Sequence, residues 1–195
     1  MPVVINGSGS VTGLSTLAFP NGDGTVTGVA TMSGLTNASI PATKIGAGAV
    51  LQVVQKIFSD VTTTTTTYTY VDVTNGSLAI TPVGNNSKFL VRMLAQGYQS
   101  AGGGHNVGIS RVIGGTTTRL LGVDGSSGNT WVGAGNGATN NSYTILREYL
   151  DAPAVLAGTV VTYKMLLGLW SSGTAYLNYS GYSVDSIITI QEIAG

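Results

Sequence analysis

Val61-Thr62-Thr63-Thr64-Thr65-Thr66-Thr67-Tyr68-Thr69-Tyr70-Val71-Asp72-Val73 is the stretch that decides the class of this chain. Threonine, valine and tyrosine are β-branched or aromatic, and such side chains suit a pleated, half-buried surface. Strand alternation presents threonine on both faces of this run. The strand therefore needs pairing or a cover, because a flat uncharged edge invites uncontrolled association.

The same texture extends outward on both sides. Strands are expected over residues 50–59, 61–73, 78–81, 88–98, 107–113, 117–122, 143–150, 159–170, 175–179 and 186–193. Turn signals separate them: Asn75-Gly76, Gly84-Asn85-Asn86, Gly114-Gly115, Asp151-Ala152-Pro153 and Ser171-Ser172-Gly173. No segment carries a sustained helical period with a cap at each end. The expected fold is all-β, an antiparallel β-sandwich of the jelly-roll kind.

Residues 1–48 differ from the rest, with Phe19 as their one aromatic. Ser10-Val11-Thr12-Gly13-Leu14-Ser15-Thr16 recurs as Thr25-Val26-Thr27-Gly28-Val29-Ala30-Thr31. Such a segment cannot bury a core alone. It either winds with identical neighbours into a β-shaft or serves as a flexible arm. The expected division is an attachment or shaft segment at 1–48 and a β-sandwich head at 49–195, with a hinge at Ile40-Pro41-Ala42-Thr43-Lys44-Ile45-Gly46-Ala47-Gly48.

Charge is scarce: eight basic and eight acidic residues in 195, or 8%, against about a quarter in ordinary soluble domains. A neutral surface this poor in charge tends to associate, so a self-assembling subunit is expected. No basic cluster offers a footprint for nucleic acid. No apolar run approaches the ~20 residues of a bilayer span, so membrane insertion is not expected. The start of the chain lacks a basic, hydrophobic leader, and folding in the cytoplasm is expected. With no cysteine there are no disulfides or thiolate metal sites.

Leu51-Gln52-Val53-Val54, Leu78-Ala79-Ile80-Thr81-Pro82, Asn86-Ser87-Lys88-Phe89-Leu90-Val91 and the closing Asp185-Ser186-Ile187-Ile188-Thr189-Ile190-Gln191-Glu192-Ile193 occur in an order that resembles tailed-bacteriophage fibre proteins. The likeness is to their C-terminal β-domains, especially in phages of aquatic bacteria and cyanobacteria. Asn6-Gly7-Ser8-Gly9-Ser10-Val11-Thr12-Gly13 resembles their N-termini. The resemblance implies a homotrimeric virion appendage whose distal head meets a host-surface glycan. Residues 1–48 would join another virion protein, of the tail, baseplate or capsid. The apolar seam between copies is expected at Leu166, Leu169 and Ile187-Ile188, with Ile188→Asp abolishing assembly.

Catalytic chemistry is sparse. His105 is the only histidine, and no Gly-x-Ser-x-Gly elbow frames a serine. In a trimer three copies of His105 have the option of converging on the axis around an ion, but no cofactor or metal is expected. Glu148 and Asp151 invite a glycosidase pair, which needs carboxyls about 5–10 Å apart; the plainer reading is a solvated rim beside Arg147. Gly7/Gly9/Gly13 and Gly22/Gly24/Gly28 miss the dinucleotide spacing. No enzymatic activity is expected.

Recognition remains. Residues 98–106 and 122–141 are Gly/Ser/Asn-rich loops, and the candidate receptor contacts are His105, Asn106, Asn129, Trp131, Asn136 and Asn140. An aromatic face covers a sugar ring while amides bond its hydroxyls. Trp131 alternatively plugs a core or seam. Trp170, Tyr176, Tyr179 and Tyr182 form a second aromatic group, read as core or interface. The function expected is a trimeric phage tail fibre binding host glycan. A capsid decoration protein is the alternative, and a polysaccharide depolymerase is the reading with least in its favour.

Overall fold

A computed structural model describes residues 46–100, 104–122, 141–170, 173–181 and 184–195. All of them belong to one compact unit, Ile40–Gly195. The expected attachment segment lies outside the described residues except for its last three positions.

The strands are β1 (Val50–Phe58), β2 (Thr62–Thr64), β3 (Thr69–Ile80), β4 (Lys88–Gln99), β5 (His105–Ile113), β6 (Thr116–Leu121), β7 (Asn141–Asp151), β8 (Val161–Leu169), β9 (Ala175–Leu177) and β10 (Ser186–Ile193). They form two antiparallel sheets. In sheet A, β7 pairs along one side of β4, while β10 and then β9 line its other side; β1 and β2 follow. Sheet B runs β3-β8-β5-β6.

The pairing is nested: β1 with β10, β3 with β8, β4 with β7, β5 with β6. That order is a long hairpin folded over on itself, the jelly roll. The expected all-β class and sandwich architecture are thus what the described residues adopt.

Alternation fills the space between the sheets. On β4, Phe89, Val91 and Met93 point inward; β10 adds Ile188 and Ile190, and β8 adds Val161, Tyr163, Met165, Leu167 and Leu169. The rings of Phe89 and Tyr163 meet across the core with centroids 6.0 Å apart. Leu166, Leu169 and Ile188 are all buried within the single chain. Leu169 and Ile188 are core, and Leu166, on the other face of sheet B, is buried against Tyr70. None is the exposed seam between copies expected of them, and Ile188→Asp would attack the sandwich itself.

The threonine run does not form one strand. Thr62–Thr64 joins sheet A beside β9, and the chain then crosses to enter sheet B at Thr69. Side chains take over where the ladders stop: Thr64 Oγ1 accepts from Thr66 N at 3.2 Å and Thr62 Oγ1 from Thr74 N at 2.8 Å. This is the local competition that threonine hydroxyls offer regular structure. Asn75-Gly76, read as a turn, instead marks a register shift within β3, between Asp72 and Ser77. Asn75 has φ 54°, a conformation asparagine tolerates. β3 therefore continues through it to Ile80.

One buried carboxylate ties the sandwich at its closing end. Glu192 accepts from Val83 N (3.0 Å), Gly84 N (3.0 Å), Ser87 Oγ (2.6 Å) and Gln52 Nε2 (2.6 Å). Burial works to raise its pKa, but these donors outweigh it and hold the pKa below the usual carboxylate value. A second buried link crosses between sheets. Asp151 on β7 takes Arg111 Nη1 of β5 at 2.7 Å and the Tyr163 hydroxyl of β8 at 2.7 Å.

Candidate functional site

The cross-strand pair Gln99↔Asn141 sets the start of one Gly/Ser/Asn-rich loop beside the end of the other. His105↔Leu169 and Gln99↔Ala175 root the connection after β8 at the same pole. Ser100 N bonds Thr174 O at 3.2 Å, and Trp170 N bonds Gly104 O at 2.6 Å, lacing these roots together. The opposite pole holds Val50, Ile193 and Lys88, with Ile193 between the other two. The strand ends that flank residues 101–103, 123–140 and 171–172 are thus gathered at one pole.

Three tyrosines stand at that end. Tyr98 of β4 is paired with Tyr176 of β9, ring centroids 5.7 Å apart, and both lie on the face of sheet A turned away from the core. Tyr179 follows β9 and stacks on Tyr98, centroids 4.3 Å and planes 14° apart, while meeting Tyr176 edge-on at 5.1 Å. Beside them opens a cleft of about 230 Å³ lined by Gln96, Tyr98, Ser142, Tyr143, Thr144 and Tyr179, among others. Among the described residues that line it, no side chain is charged. The Thr144 hydroxyl donates to Gln96 Oε1 at 2.8 Å, which turns the Gln96 amide hydrogens toward other acceptors.

Gly97 makes the floor possible. It is the cross-strand partner of Tyr143, and a Cβ there would clash with Cε2 of the Tyr143 ring. The ring therefore lies across β4 and reaches His105, with which it stacks, centroids 3.4 Å apart. The Tyr143 hydroxyl and His105 Nδ1 are hydrogen-bond partners, and Gln99 Oε1 lies 3.3 Å from the same nitrogen. His105 Nε2 is buried with no partner. Burial lowers the pKa of His105 to about 3, so the ring is neutral at pH 7.

These positions correct part of the expected site. His105 and Asn106 belong to strand β5, not to a presented loop, and each is only 1% exposed. His105 is enclosed within one copy, so it is not offered to an ion on an oligomer axis. Asn106 Oδ1 accepts from Val107 N at 2.8 Å and from the Arg147 guanidinium. Asn129, Trp131, Asn136, Asn140 and Tyr182 lie outside the described residues. Of the second aromatic group, Tyr176 and Tyr179 come together, and they acquire a partner the sequence reading passed over, Tyr98. Its signal was available: an outward tyrosine on a strand whose alternate residues are apolar.

Glu148 and Asp151 are three residues apart on β7 and face opposite sides of the sheet. Glu148 pairs with Arg92 at the surface (2.6 Å), and Asp151 is buried against Arg111. The expected solvated rim beside Arg147 is thus replaced by one surface pair and one interior pair. Among the described residues no group of three His, Asp or Glu side chains is placed to hold a metal ion.

No protein-family model matches the chain, and no curated protein matches it. Solved structures do. One is a structure of infectious bursal disease virus, Gx strain: 13% identity, 73% of this chain and 36% of that chain covered, TM-score 0.35. Another is dimeric latent PorU from Porphyromonas gingivalis, at 12% identity, 76% and 14% coverage, and TM-score 0.29. A third is the D431N mutant VP2 protein of infectious bursal disease virus in T=1 particles, at 11%, 75% and 37%, and 0.28. The chain spans well under half the length of each. Scores this low do not bear on what the chain does.

Proposed function

We propose that this chain is a structural virion protein, a trimeric phage tail fibre whose jelly-roll head adheres to a host-surface glycan. The observation that carries the reading is the uncharged tyrosine cleft at the loop-bearing pole. An exposed aromatic face covers the apolar side of a sugar ring. The Gln96 amide and the Ser142 and Thr144 hydroxyls supply donors and acceptors for its OH groups. With no charge among the described lining residues, the sugar that fits is a neutral one.

Adhesion works here by contact, with no bond made or broken. A shallow site of this size binds weakly, and several heads engaging one surface raise avidity 10²–10⁴-fold. A capsid decoration protein has no use for a saccharide cleft, which favours adhesion over that alternative. The residues ahead of the sandwich would attach it to its virion partner.

The test is binding of the intact protein to a glycan array and to envelope polysaccharide from candidate host bacteria. Tyr98→Ala and Tyr179→Ala should each weaken binding about tenfold or more while leaving the far-ultraviolet circular dichroism unchanged. Failure of the unaltered protein to retain any envelope fraction would sink the reading.

A further inference from the structure

The outer face of sheet A carries rows of side chains that run across four strands. The register aligns Ile57 (β1), Ile187 (β10), Leu94 (β4) and Leu146 (β7) in one row. The next row is Gln55, Thr189, Arg92 and Glu148, and the one after it Val53, Gln191, Leu90 and Leu150. The layers thus read apolar, polar, mostly apolar along the strand direction. Ile57 is 58% exposed and Leu146 57%, and Val53 and Leu150 are exposed to a similar degree. Four large aliphatic side chains at the two margins of one flat face are more than scattered surface apolarity explains. A groove of about 330 Å³ follows the boundary between the first two rows.

The two margins match each other. The β1 column reads Val53, Gln55, Ile57, and the β7 column reads Leu150, Glu148, Leu146 at the same three heights. Rotation about an axis parallel to the strands preserves height. It therefore brings Ile57 of one copy to Leu146 of the next, Val53 to Leu150, and Gln55 to Glu148. Gln55 Nε2 already donates to Thr189 Oγ1 at 3.0 Å, and its second amide hydrogen suits the carboxylate of Glu148. Glu148 is held in place by Arg92, so the contact leaves no unpaired charge.

We propose that this face is where copies of the chain meet, packed about an axis parallel to its strands so that the layers stay in register. The proposal rests on the oligomeric part of the reading above and names its surface. The cleft begins at the next outward row, Gln96 and Thr144, beyond the Leu94–Leu146 row, so every cleft sits at the same end of the assembly, as multivalent adhesion requires.

The chain has no cysteine, which makes a direct test available. Within one copy Ile57 and Leu146 are three strand spacings, about 14 Å, apart. A disulfide needs Cα atoms within about 7 Å, so a protein carrying both Ile57→Cys and Leu146→Cys can bridge only between copies. Mild oxidation should give a ladder ending at a covalent trimer on a denaturing gel. Leu146→Glu should reduce the sedimenting species from trimer to a folded single chain, while Leu156→Glu, exposed but off this face, leaves it unchanged. An unaltered protein that sediments as one chain overturns the oligomeric reading and this proposal together. An oligomer that neither cross-links nor responds to Leu146→Glu overturns only the proposed face.

Discussion

At the scale of single residues, the most consequential side chain is the one histidine. Buried neutral under Tyr143, with a pKa near 3, His105 takes up its proton only in the unfolded chain as pH falls below about 6.5. Its contribution to stability is full above pH 6.5 and declines as pH drops, by about 1.4 kcal/mol per unit. Urea unfolding at pH 7 and pH 5 should differ by about 2 kcal/mol, and His105→Gln should abolish most of that difference. Glu192, whose carboxylate is held ionised by four donor groups, adds its own loss only below about pH 4.5. Between pH 6.5 and about 4.5 the His105 loss stands apart from that of Glu192, because the chain has no other histidine; below about 4.5 the two overlap. Asp151, sealed between Arg111 and Tyr163, shows why a carboxylate near a strand end was misread: parity along β7 decides which way it points, and the expected boundary at residue 150 left that parity unused.

At the scale of elements, β4 and β7 build the candidate site through one missing side chain. Gly97→Val would drive Tyr143 off β4, a backbone and side-chain rearrangement costing about 1–3 kcal/mol, and would deform the cleft floor. Thermal unfolding should register the cost, and glycan binding should fall with it. The strand pattern was largely readable: β10 has the expected bounds, and β1, β4 and β8 lie within a residue or two of theirs. The threonine run and Asn75-Gly76 were not, because hydroxyl groups that bond backbone amides and an asparagine at positive φ look alike in a bulge, a crossing and a turn. The motifs that suggested a family have a shared physical basis. Gln52, Ser87 and Glu192 lie within them and converge on one buried carboxylate, so they mark how the sandwich is closed and leave its binding chemistry open. The tyrosine cleft was legible only in part, since Tyr98 and Tyr176 are 78 positions apart and meet through pairing alone.

At the scale of the whole molecule, nesting makes nearly every pairing long-range, with Val50 opposite Ile193 at the extreme. Closing such loops comes before the contacts that reward it, so all-β domains of this kind fold in milliseconds to seconds or slower. Stopped-flow refolding of residues 46–195 should fall in that slow range, and removing 186–195 should leave no cooperative unfolding transition, because β10 lies between β1 and β4. The pole that holds Gly46 and Gly195 is opposite the one that holds the tyrosines. A pull between a bound surface and the residues preceding β1 therefore runs parallel to the strands. It loads the β1–β10 hydrogen bonds in shear, all sharing the tension together, instead of peeling them apart one by one, and the head should stay intact under tugging that would unzip a hairpin.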